Sequence, residues 1–464
     1  MERDHRRIKT FYKSLIVLLA IILFFIANKI NSAERSDNMD KEISVKRETR
    51  ESFAAPIPAL SLSKMRLFTG GRHLFRRTWT PAPSSVKSLD GLGPVFNRVS
   101  CSGCHVKDGR GRPPKDDGKF RSMVIKLSMI DNNNIYPDPN YGYQLNDKSI
   151  LGVPYEGKAK IDYSIIDIEL NDGTIKKISN PHYTFNSMSF GALNENTKHS
   201  GRVAPAVFGL GLIEAITEKD LLKNADPEDL NNDGISGRAH KLVDKPSKKI
   251  MIGKFGWKAT RATLLHHITG AASQDMGLTS NIFPNQNCMK TQKACLEQIN
   301  GGEPEVSDAQ IDRLLVYMQT LAPPRQRKIK NKSVLAGKNL FKEIGCESCH
   351  TPTYKTGEHP NHPELSNRII RPYSDFLLHD MGKGLDDGVA EGEAKSYEWK
   401  TPPLWGIGLV KIVNKHTRFL HDGRAGSIEE AILWHDGEAR NAKNNYISLN
   451  KENREKLLFF LNSL

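Results

Sequence analysis

The chain has 464 residues, 26% of them charged and 38% hydrophobic, the balance of a soluble globular protein with room for two domains. Its formal charge of +14 is scattered along the sequence with no stripe of basic and aromatic residues, which argues against nucleic acid as a partner. No phosphate loop, nucleotide fingerprint or serine triad is present.

Arg3, Arg6, Arg7, Lys9 and Lys13 precede an apolar run, Leu15 to Ala27, too short for the roughly 20 residues of a membrane span. Residues 1–33 therefore read as a signal peptide cut near Ala33, or as an uncleaved anchor, and the body of the chain as exported to the periplasm. Residues 34–60, polar and ending on Pro56 and Pro58, predict a flexible lead-in. The pentapeptide CSGCH follows at 101–105. Between about 158 and 180 the apolar residues alternate, Ile161, Tyr163 and Ile165, then Ile166, Ile168 and Leu170, with a turn at Asn171-Asp172-Gly173, predicting a β-hairpin. Ser307 caps a predicted helix with Ile311, Leu314, Leu315 and Met318 on one face, stopped by Pro323 and Pro324. A basic linker, 325–332, leads to a helix bearing Val334, Leu340, Phe341 and Ile344 that runs into CESCH at 346–350. A last helix starts at Asn450, with Leu457, Leu458 and Leu461 as its stripe.

In CxxCH, two thiols three residues apart add to the vinyl groups on one porphyrin edge, and the next histidine reaches the iron from below. A zinc knuckle or redox dithiol would explain one copy. Two copies, each behind a helix and downstream of an export signal, predict two covalent c-type haems, on Cys101, Cys104 and His105 and on Cys346, Cys349 and His350. A helix before each motif and one closing each unit predict a mainly α fold of two cytochrome c-type domains, 61–324 with a β-containing insertion and 333–464. The basic surface then suits docking of a periplasmic redox protein. Cys288 and Cys295 remain, and in an oxidising compartment they pair most simply as a disulfide. Asp229, Asn231 and Asp233 match the first half of a calcium loop, but His240 stands at the twelfth position where a glutamate is needed, so calcium and a plain turn both stay open.

The sequence resembles the bacterial di-haem oxidoreductase family, whose members carry thiol oxidoreductase or peroxidase labels. The resemblance runs from about Leu67 to Leu464. It rests on LDGLGPVFN (89–97), RVAPAVFGLGLIEAI (202–216), NNDGISGRAHK (231–241), KFGWKA (254–259), IRPYSDFLLHDMG (370–382), EWKTPPLWGIG (398–408) and FLHDGRAGSIEEAILWHDGEA (419–439). More distantly the chain is similar to the di-haem cytochrome c peroxidases and to the di-haem enzyme that matures methylamine dehydrogenase. Those relatives imply an axial ligand fourteen residues past the histidine of an aromatic-His-x-Gly element. Here that histidine is His421, behind Thr401-Pro402-Pro403-Leu404 and ahead of Ser427-Ile428-Glu429-Glu430, and the ligand position is His435, where the relatives have methionine or tyrosine. Met381 is the rival ligand, and His421 is read as a neighbour of the haem.

The same relatives imply a tryptophan between the haems, here Trp257; ten residues on stands His267 in place of their glutamine, and the acidic residue before Met276 is Asp275, two positions early. Their switching histidine has no counterpart, its place being taken by Arg121. The implied chemistry is reduction of hydrogen peroxide at the first haem, with Asp275 or His267 moving the proton and Trp257 passing electrons from the second. Two alternatives remain. One is a pure electron carrier, its first iron closed by His266 or His267. The other is oxidation of a protein substrate through high-valent iron. The thiol oxidoreductase label finds no free redox dithiol in this sequence.

Overall fold

The computed structural model describes residues 41–115, 117–131 and 134–464, so the predicted signal segment and the start of the lead-in lie outside it. Each half opens on the same device. Helix Leu62–Arg76, capped by the Ser61 hydroxyl, buries Phe68, Gly71 and Phe75 on one stripe. It crosses helix Asp308–Thr320, which starts with the Ser307–Gln310 capping box. At the crossing a Cβ on Gly71 would stand 1.9 Å from the Arg313 carbonyl oxygen, so only glycine admits the neighbouring backbone. In the second half helix Lys332–Glu343 buries Val334, Gly337 and Phe341 and crosses helix Lys451–Leu461. There a Cβ on Gly337 would lie 2.1 Å from the Lys456 carbonyl oxygen. The pentapeptides GRHLF (71–75) and GKNLF (337–341) are thus one packing unit used twice.

The expected mainly α class is not what forms. Helix accounts for 29% and strand for 19%, with six small sheets among the described residues. Strand Met123–Asp131 is the reason: its alternation places Met123, Ile125 and Leu127 inward. Strand Thr197–Val203 pairs along one edge, and Asn134–Tyr136 and Gln144–Leu145 pair along the other. The predicted hairpin is present as Lys158–Glu169 and Ile175–Asn186, in register from Lys158↔Asn186 to Glu169↔Ile175, with Gly173 at φ 76° in the turn. Its tip crosses to the other half. Leu170 and Ile178 join the core of the second half, Asp172 pairs with Arg454 at 2.6 Å, and Lys176 with Glu429 at 2.7 Å.

The halves also share a core rather than standing as two cytochrome-like domains. Ile213, Leu264, Leu314 and Tyr317 pack in one cluster with Tyr354, Phe376, Trp405 and Val413. The segment expected to be a flexible lead-in is packed over its described part, with Ile43, Phe53 and Ile57 at 2% exposure or less. The 325–332 stretch is likewise docked: Arg325 donates to the Ser44 carbonyl at 3.1 Å and Arg327 to the Leu464 carbonyl at 3.0 Å. Cys288 and Cys295 are disulfide-bonded.

Candidate functional site

The first CxxCH motif lines a cavity. Ser100 leads into helix Cys101–Cys104, whose thiols are free, and His105 follows. The His105 Nδ1 lies 2.7 Å from the Pro205 carbonyl oxygen, which sets the tautomer and leaves Nε2 unencumbered. Burial keeps this imidazole below its ordinary pKa, although the Pro205 carbonyl and Asp275 pull the other way. Phe75 supports the ring at 6.0 Å and is itself 5.4 Å from Tyr317.

Facing them is helix Leu264–Met276, capped by Thr263 and ended by Gly277 in the left-handed region. His267, Ala271 and Asp275 recur every fourth residue on its cavity face, and the small Ala271 leaves room between the other two. His266 points elsewhere: its Nδ1 accepts from the Lys245 N–H and sits 3.3 Å from Asp244. Of the two adjacent histidines, His267 is therefore the one presented to the cavity. Burial first, then Arg261 and His105, push it down to about 3, so it is neutral. Its ring packs against Phe255 at 6.0 Å and makes no hydrogen bond to the described residues. Asp275 is held instead, its Oδ1 accepting from Gln144 Nε2 at 2.8 Å. Gln144 comes from the short strand of the four-stranded sheet, and sequence reasoning missed it because the contact spans the whole insertion.

The second motif lines a larger cavity. Here the His350 Nδ1 lies 2.9 Å from the Tyr373 carbonyl oxygen, and Phe341 backs the ring at 6.1 Å. His435 lines the same cavity with its Nδ1 2.7 Å from the Ala431 carbonyl oxygen, one helical turn back. Burial pushes His350 down to about 4 and lowers His435 as well, so both rings are neutral donors. Met381 is also on the wall. His421 is stacked on Trp399 at 3.7 Å, and the Lys258 ammonium stands 3.9 Å from the same indole. Beside Cys349, His379 is clamped between Asp375 (2.8 Å) and Glu438 (2.6 Å). Burial, the largest single influence, opposes its charge, but Asp375 and Cys349 together outweigh it and raise the pKa well above the ordinary value. The HDMG string drew attention to Met381 alone; the partners of His379 lie too far apart in sequence to announce it.

His267 and Val207 line both cavities and so form their common wall. Trp257 lines only the second, its indole N–H donating to the Val203 carbonyl at 2.9 Å. The Asp229, Asn231 and Asp233 loop is exposed and bonded to itself: Asp229 accepts from the Gly234 N–H, and Asp233 from the Ile235 N–H and from Asn231 Nδ2. His240 turns away to the Lys258 carbonyl, and no third His, Cys, Asp or Glu atom converges there among the described residues.

The family model described as "Di-haem oxidoreductase, putative peroxidase" matches residues 34–130 and 172–464. The chain belongs to this di-haem oxidoreductase family. No curated protein matches it. Among solved structures it aligns with Kuenenia stuttgartiensis hydrazine synthase pressurised with xenon, at 13% identity, over 89% of this chain and 94% of that one. The TM-score of that alignment is 0.31, too slight a likeness to bear on fold or chemistry. Membership implies two haems. The residues fit such groups: each cavity offers two free thiols and an oriented neutral imidazole, and buried Arg98 Nη2 and Arg110 Nε lack hydrogen-bond partners.

Proposed function

We propose that the protein is a periplasmic c-type di-haem enzyme that reduces hydrogen peroxide at the first cavity, with electrons supplied by a periplasmic redox protein through the second. The haems, held as thioethers on Cys101 and Cys104 and on Cys346 and Cys349, supply the one-electron redox chemistry and the iron that takes peroxide. His105 and His350 would hold the two irons from the side of their thioether bonds, and His435 would offer a second imidazole to the latter. The observation that carries this reading is an asymmetry. The second cavity is bounded by two imidazoles oriented through their Nδ1 atoms, whereas the first has one such imidazole facing a fixed carboxylate.

Asp275, with Oδ1 held by Gln144, keeps Oδ2 to accept a proton from the near oxygen of peroxide and return it to the departing one. His267, neutral at working pH, donates or accepts a hydrogen bond beside it. Two electrons and two protons then yield two waters, and Trp257 and His267 bridge the route from the second cavity. D275N should lower peroxide turnover by about 10²–10⁴-fold at unchanged haem content, and Q144L by less. Full turnover in D275N would sink the proton-transfer role. The unanchored ring of His267 favours one alternative, an electron carrier in which His267 closes the first iron.

A further inference from the structure

We propose that Lys400, with Arg110, binds a propionate carboxylate of the haem in the second cavity. Burying an ammonium is costly unless something compensates it. The other buried cations of this region are compensated. Lys258 donates to three backbone carbonyls at 2.8–2.9 Å, and Lys254 to two at 2.9 and 2.6 Å. Arg202 pairs with Asp387 at 2.5 Å and Arg424 with Asp422 at 2.7 Å.

Lys400 is the exception. It is 7% exposed and lines the second cavity; its Nζ has one hydrogen-bond partner, the carbonyl of its own neighbour Thr401 at 3.5 Å, and otherwise stands over the Phe376 ring at 5.6 Å. The carboxylate whose charge it feels, Asp375, is committed: Oδ2 to His379 and Oδ1 to the Leu377 N–H. Arg110 lines the same cavity. Its Nη2 donates to the Leu420 carbonyl at 2.6 Å, while its buried Nε has no partner. Neither side chain has a carboxylate within ion-pair distance among the described residues. Two cations without anions lining one cavity call for a carboxylate ligand. A haem anchored to Cys346 and Cys349 by its vinyl edge carries two carboxylates on another edge, and the backbone N–H of Lys400 donates to the Trp257 carbonyl at 3.0 Å. A propionate on Lys400 would therefore sit beside the residue that the proposed electron route uses. A free small anion offers the same chemistry and is the alternative source.

The inference rests on placing the second haem in this cavity, not on the substrate. Two haems per chain in the K400M holoprotein would keep that placement intact whatever the next result. Removing the ammonium leaves the propionate charge uncompensated and favours ferric iron. K400M should shift the ferric-to-ferrous equilibrium of the second haem about tenfold, a midpoint about 59 mV lower. K400R should stay within about twofold of wild type, and the redox-difference infrared band of the propionate should move in K400M alone. If K400M does not load, K400Q takes its place with the same reading. An unchanged midpoint in the loaded variant overturns the proposal. So does a wild-type midpoint that follows added chloride or acetate, which would mean that the cations hold a free anion.

Discussion

The two halves of this protein support their CxxCH histidines alike and face them differently. On the supporting side, a Gly-x-x-x-Phe helix crosses a second helix at the glycine and lays the phenylalanine against the imidazole, at 6.0 Å for Phe75 and His105 and 6.1 Å for Phe341 and His350. Each imidazole has a backbone carbonyl at Nδ1. On the facing side the likeness ends. His435 is oriented by a helical carbonyl, whereas the His267 ring packs against Phe255 at 6.0 Å, has no hydrogen-bond partner among the described residues and shares its helix face with Asp275. The support repeats because holding a ring is the same task twice. On the function proposed above, the facing side would diverge because an electron-transfer iron needs a fixed sixth ligand and a reactive one needs room and a proton carrier.

The largest effect should come from removing that fixed ligand. H435A is expected to convert the second haem from low-spin to high-spin and to let it react with peroxide, as read by optical and paramagnetic spectra. A second haem that stays low-spin would transfer the role to Met381, which lines the same cavity. The shared support can be tested by G71A and G337A. Each puts a methyl within 1.9 or 2.1 Å of a carbonyl oxygen and should destabilise by about 1–3 kcal/mol in thermal unfolding. A clear loss in only one of them would break the equivalence of the two crossings.

A smaller effect concerns the insertion, which has no counterpart in the second half. Glu156 is buried, accepts from the Asn146 N–H and from Gln292, and so steadies the segment that carries Gln144. Burial, only partly offset by those donors, raises its pKa from 4.5 to about 8. A raised carboxyl pKa means that the folded state holds the proton more tightly. Its stabilising contribution is complete below about 4.5 and is lost as pH rises through about 8. Wild type should lose up to about 1.4 kcal/mol per pH unit across that window, and E156Q should be flatter. Parallel pH profiles would contradict this.

Much of the local structure could be read from the sequence because its signals are local. Ser307 with Gln310 marks a helix start, Asn171-Asp172-Gly173 a hairpin turn, and CxxCH carries its own geometry. The mainly α expectation failed at Met123–Asp131, a strand whose partners lie up to eighty residues away, at Val203. The lead-in looked polar in composition, yet Ile43, Phe53 and Ile57 are enough to dock it. His266 and His267 are neighbours in sequence, and only the rotation of their helix separates a buried partner of Asp244 from a cavity-facing ring. Gln144, His379 and Lys400 acquire meaning only from what the fold brings beside them or fails to bring.

On the proposed reading two histidines close the second iron and the first iron is open. Paramagnetic and optical spectra of the fully ferric and half-reduced holoprotein, taken before and milliseconds after adding peroxide, test it most directly. The expected result is one bis-histidine low-spin signal that peroxide leaves alone and one high-spin signal that it consumes in at least one of the two states. Two low-spin signals indifferent to peroxide in both states would contradict it and leave an electron carrier, with His267 on the first iron.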